Sequence, residues 1–105
     1  MRPKRKTVYL AGPITDVEKY WEPFEKYDDA LTAMGYQVLN PARLPQGMTD
    51  EQYMRICFAM IDSADVVMFL PGWENSKGAK LERAYCEYID KGIWTPVNEE
   101  VKPWP

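Results

Sequence analysis

Four short apolar segments alternate with three amphipathic ones along these 105 residues, and that order predicts an α/β fold. The expected architecture is one small, doubly wound domain (Rossmann-like, flavodoxin-like) with a mainly parallel sheet of about four to five strands. Two observations support it besides the alternation. The links between segments are short, as in successive βαβ units, and Val66 to Leu70 (VVMFL) is unbrokenly apolar, as a central strand covered on both faces should be. The length leaves room for a single domain over 1–105, with residues 1–5 a basic arm and 98–105 a peripheral tail.

Taken in order, Lys6 to Ala11 (KTVYLA) is β-branched and aromatic and ends at Gly12-Pro13, which reads as a buried strand stopped by a turn. A helix follows with Pro23 at N1. Phe24, Tyr27, Leu31 and Met34 recur at helical spacing before Gly35 closes it. Tyr36 to Leu39 is a second strand, ended by Asn40-Pro41. Thr49 and Gln52 have capping-box spacing at the head of a second helix, whose apolar face runs through Tyr53, Ile56, Cys57, Met60, Ile61 and Ala64. Asp65 opens the VVMFL strand as a structural cap or turn acceptor. The third helix spans Lys77 to Lys91, with Leu81, Ala84, Tyr85, Tyr88 and Ile89 buried and Gly92 as its C′ stop. A last strand, Ile93 to Val97, precedes a Pro-rich tail.

Composition excludes several chemistries. The chain has no histidine, so Ser-His-Asp and Cys-His nucleophile systems, His-ligated zinc and imidazole bases are ruled out. Cys57 and Cys86 are too few for a disulfide scaffold and lack metal-site spacing, which fits reduced core thiols, no metal and a cytoplasmic location. No apolar run is long enough to span a membrane. The net charge is −3, and Arg2, Lys4, Arg5 and Lys6 carry much of the positive part, so the rest of the chain is too acidic for a broad nucleic-acid surface.

In a doubly wound sheet, ligands bind beyond the carboxyl ends of the strands. The turn beginning at Gly12, the Asn40 to Arg43 loop and the Gly72 to Ser76 loop are therefore expected to converge. The AGPIT turn is not a dinucleotide fingerprint. Glu82 has Gly78, Tyr85, Cys86 and Ile89 as its helical neighbours, none charged, which puts its carboxylate on or beside the sheet-facing side, although Lys80 and Arg83 also allow an exposed flank. One turn into the helix, it is expected to be favoured in its ionised form by the helix dipole. Ser76-Lys77-Gly78 reads either as an ordinary N-cap or as open N–H groups facing a phosphate or sugar oxygen. Tyr9 is either a crevice hydroxyl or a core tyrosine. Trp73 is placed to stack on a base or to anchor its own loop.

Together Tyr9-Leu10-Ala11-Gly12-Pro13, Asn40-Pro41, Asp65-Val66-Val67 and the run Gly72 to Glu82 (GWENSKGAKLE) resemble the nucleoside 2-deoxyribosyltransferase-like superfamily, over about Thr7 to Val97. The likeness is greatest to a short branch with GPIT and PGWxxSxGAxxE motifs. It implies that Glu82 attacks the anomeric carbon of a nucleoside or nucleotide, that Tyr9 orients this glutamate, and that Ser76 contacts substrate. Serine at 76 leans toward the branch that hydrolyses nucleoside 5′-monophosphates. Cys57 stands where the resemblance places an aspartate that handles the leaving base, and Thr15 where monophosphate hydrolases carry arginine. Asn40, Arg43 and Lys77 are candidate substrate contacts. The implied activity needs no cofactor, and the implied assembly is a homo-oligomer. A non-catalytic nucleotide-binding module of the same fold is the alternative.

Overall fold

The computed structural model describes residues 4–96; the arm residue Arg2, the expected strand end at Val97 and the tail residues Val101 and Trp104 lie outside them. Four strands, β1 (Thr7–Ala11), β2 (Gln37–Leu39), β3 (Val66–Phe69) and β4 (Gly92–Trp94), form a parallel sheet in the order β2-β1-β3-β4. Helices α1 (Trp21–Ala33), α2 (Asp50–Ser63) and α3 (Lys77–Tyr88) connect them, with short 3₁₀ turns at Pro41–Arg43 and Trp73–Asn75.

Strand alternation divides the core into two layers. Val8, Leu10, Val66, Met68 and Trp94 face α1 through Phe24, Tyr27 and Leu31. Tyr9, Ala11, Val67 and Phe69 face α2 and α3 through Cys57, Ile61, Ala64 and Cys86. The chain leaves β1 toward β2 and then returns to the opposite side of β1 as β3. The direction of winding thus reverses between β1 and β3, and their carboxyl ends open at that switch point.

Local chemistry accounts for the element boundaries. Thr49 and Gln52 make both bonds of the expected capping box. Asp65 lies just before β3 and accepts the Thr7 N–H at 2.8 Å, tying the starts of the two central strands together. α1 ends in a Schellman motif: Gly35 sits at φ +94°, with bonds from Gly35 N–H to Thr32 O and from Tyr36 N–H to Leu31 O.

Several expectations are corrected. Pro23 occupies N3 rather than N1, because α1 already begins at Trp21; the N3 amide also lacks an intrahelical acceptor, so proline costs no bond there. Gly92 is not the C′ stop of α3. Asp90 takes the left-handed position at φ +57°, Lys91 N–H closes on Cys86 O, and Gly92 is free to begin β4. The buried side of α3 is Ala79, Glu82 and Cys86, whereas Leu81, Ala84, Tyr88 and Ile89 are exposed, Tyr88 at 89%. Two of the three buried residues, Ala79 and Cys86, are small, and the bulkier apolar side chains point outward. On α2, Ile56 likewise points out, and Phe58 stacks on Tyr85 with ring centroids 4.5 Å apart.

Candidate active site

The turn after β1 and the loop after β3 meet at the switch point because glycine permits both. A Cβ on Gly12 would lie 3.2 Å from Leu70 Cβ and 3.3 Å from Phe24 Cζ, and Gly72 adopts φ +87°. Between this turn, the start of α2 and the start of α3 lies a cleft of about 860 Å³. Tyr9, Gly12, Ser76, Lys77, Gly78 and Glu82 all line it.

Glu82 is 5% exposed and Tyr9 1%. They come from different elements facing each other across one layer, Glu82 from α3 and Tyr9 from the middle of β1, and the Tyr9 hydroxyl donates to Glu82 Oε2. Burial pushes the Glu82 carboxyl up to about 7, opposed by the Tyr9 hydrogen bond. Burial thus works against the ionised form that the helix dipole is expected to favour. Burial first, then the neighbouring Glu82 charge, holds the Tyr9 hydroxyl well above its ordinary range. Cys57, 8% exposed on α2, lines the same cleft beside Tyr9, and burial pushes its thiol up as well.

Ser76 is the N-cap of α3: its Oγ accepts the Ala79 N–H at 3.2 Å. That bond leaves the hydroxyl at the cleft wall with its own proton to donate.

Three anticipated site residues are placed elsewhere. Trp73 packs edge-on against Phe69, with ring centroids 5.4 Å apart, and carries the Arg83 guanidinium 4.9 Å from its ring centre, so it anchors its loop and does not line the cleft. Asn40 caps the Pro41–Arg43 turn by accepting the Ala42 N–H at 2.9 Å and donates to Asp28 at 3.0 Å. Arg43 pairs with the same Asp28 at 3.5 Å. Both border a separate shallow hollow beside Trp21 and Glu25.

The cleft also contains residues not expected at the site from the sequence. Asp50, Tyr53 and Met54 line it together with Cys57, and Asp16, Val17 and Leu81 complete its mouth. Asp50, Tyr53, Met54 and Cys57 stand at i, i+3, i+4 and i+7, so helical spacing carried a signal for this face. Among the described residues no group of three or more acidic or cysteine side chains is placed to hold a metal ion. No described helix is long and apolar enough to cross a membrane.

A family model described as a domain of unknown function, DUF4406, matches residues 6–95. The chain belongs to this family. No curated protein matches it. Among solved structures, this DUF4406 chain is similar to 2-deoxyribosyltransferase from the psychrotolerant bacterium Bacillus psychrosaccharolyticus, with a TM-score of 0.67 and 18% identity over 91% of this chain and 77% of that one. The DUF4406 chain thus has a nucleoside 2-deoxyribosyltransferase-like fold.

Proposed function

We propose that this DUF4406 chain cleaves or exchanges the N-glycosidic bond of a nucleoside or nucleoside 5′-monophosphate, with Glu82 as nucleophile. The observation that carries the reading is a carboxyl buried at the wall of a cleft of ligand size and held by one phenolic donor, Tyr9. A glutamate kept from water and fixed in direction is a poor structural element but a competent nucleophile toward an anomeric carbon.

In the first step a Glu82 oxygen bonds to C1′, the bond from C1′ to the base nitrogen breaks, and its electron pair leaves with the base. Water, or the nitrogen of a second base, then displaces the glycosyl ester and regenerates the carboxylate. Tyr9 holds the non-attacking oxygen and steadies the charge that returns to it. Ser76, Lys77 and Gly78 offer donors to a sugar hydroxyl or a 5′-phosphate at the head of α3. This route uses no metal or cofactor. The reading also has the chain working as a homo-oligomer, supported by the outward apolar side chains Leu81, Tyr88 and Ile56.

The test is base release, followed by chromatography, from a panel of ribo- and deoxyribonucleosides and their monophosphates. Release that disappears in Glu82→Ala supports the enzyme. Calorimetric binding with no turnover across the panel would refute it in favour of a non-catalytic nucleotide-binding module, which the thiol at Cys57 favours because it is a weak acid.

A further inference from the structure

The cleft around Glu82 offers few mobile protons. The groups placed to interact with its carboxyl inside the cleft are a phenol and a thiol. The Tyr9 proton is already committed to Glu82 Oε2, and the Cys57 thiol sits buried beside that phenol. Burial makes both hold their protons tightly, so neither is suited to protonate a departing base. The remaining charged groups lining the cleft are the exposed carboxylates of Asp16 and Asp50 at the mouth and one cation, Lys77. Arg43 is drawn away to Asp28.

We infer that the cleft is built for a nucleoside whose base already carries a positive charge conjugated to the glycosidic nitrogen, such as an N-alkylated purine nucleoside or a pyridinium riboside. The inference rests on the glutamate-nucleophile reading above and specifies its substrate class. Such a base leaves neutral: as Glu82 bonds to C1′, the electron pair of the breaking bond quenches the cation, and no proton has to be delivered. Water then cleaves the glycosyl ester, giving the free sugar, the Glu82 carboxylate and a proton to solvent. The cation also answers the desolvation of Glu82. A positive charge brought beside a buried carboxyl favours its ionised form, so substrate binding itself readies the nucleophile. Asp16 and Asp50 attract that charge into the cleft.

The experiment compares Glu82-dependent turnover, the rate with the parent protein less that with Glu82→Ala, of 7-methylguanosine and nicotinamide riboside with that of guanosine and deoxyadenosine. General acids typically contribute about 100-fold or more to the departure of a neutral base, so the cationic substrates, which need none, are expected to turn over at least ~100-fold faster than the neutral ones, with that turnover lost in Glu82→Ala. Cys57→Asp, which places a carboxyl acid beside the reacting centre, is expected to narrow that ratio by about 10-fold or more by quickening the neutral substrates alone. If this variant does not fold by circular dichroism, the wild-type ratio decides. Guanosine turned over as fast as 7-methylguanosine overturns the cationic preference and leaves the glutamate reading standing. No release from any substrate, charged or neutral, sinks the glutamate reading and this inference with it.

Discussion

With its carboxyl shut away from water, Glu82 keeps its proton up to about pH 7, whereas in the unfolded chain it ionises near 4.5. The folded state therefore binds the proton more tightly, and stability falls as pH rises between those values, by on the order of 3 kcal/mol if no other group compensates. Glu82→Gln is expected to flatten this slope and to be more stable than the parent above pH 7, measured by urea unfolding at several pH values. In the proposed mechanism the same ionisation sets the pH dependence of catalysis, because the attacking form is the carboxylate: kcat/KM is expected to climb through an apparent pKa near 7, and a flat profile from pH 5 to 8 would contradict this. Tyr9→Phe removes the hydrogen bond that lowers the Glu82 pKa, so carboxyl carbon NMR should show the Glu82 transition moving upward. Helical neighbours left Glu82 two placements, sheet-facing or flanking, and the structure takes the buried one. Its proton affinity was not legible in the sequence, because it depends on how much water the packed neighbours exclude.

At the scale of elements, most boundaries follow from local bonds. Thr49→Ala should cost about 1 kcal/mol by opening the capping box of α2, as read from the thermal midpoint. The ends of α1 and α3 give a sharper comparison. Gly35 and Asp90 both hold left-handed backbone, at φ +94° and +57°, so Gly35→Ala should destabilise by about 1 kcal/mol while Asp90→Gly should raise the melting temperature. Gly92 has ordinary backbone, and a Cβ there meets Val66 at no closer than 3.5 Å, so Gly92→Ala should change stability little. Equal losses at Gly35 and Gly92 would overturn this assignment. The sequence reading placed the stop of α3 at Gly92 because glycine is the usual residue there. Aspartate serves because its short side chain tolerates the left-handed region. The buried face of α3 differs for another reason: its bulky apolar residues mark one stripe, but the side that meets the sheet is Ala79, Glu82 and Cys86.

Over the whole molecule, the reversal of winding between β1 and β3 brings residues more than seventy positions apart into one cleft, Tyr9 to Glu82. Exposed apolar residues on α2 and α3 lead to the expectation of a homo-oligomer, and light scattering at micromolar concentration should give a mass of at least two chains; a single-chain mass would end that proposal. Alternation of strand and helix, the unbroken VVMFL run and the switch-point rule were enough to predict the parallel sheet and the edge at which its loops converge. They were enough because hydrophobic periodicity and short right-handed connections leave few topologies open. Helix rotation lay beyond that reach, and so did the company each side chain keeps. Asn40, Arg43 and Trp73 were spent on Asp28 and Phe69, while Asp50, Tyr53 and Met54 turned into the cleft. Periodicity determines which face of a helix is apolar, but which face is buried is decided by the shape and charge of what packs against it. That is why the sequence alone could offer Glu82 as a candidate, and only the tertiary structure decided its burial, its hydrogen bond to Tyr9 and which side chains line the cleft around it.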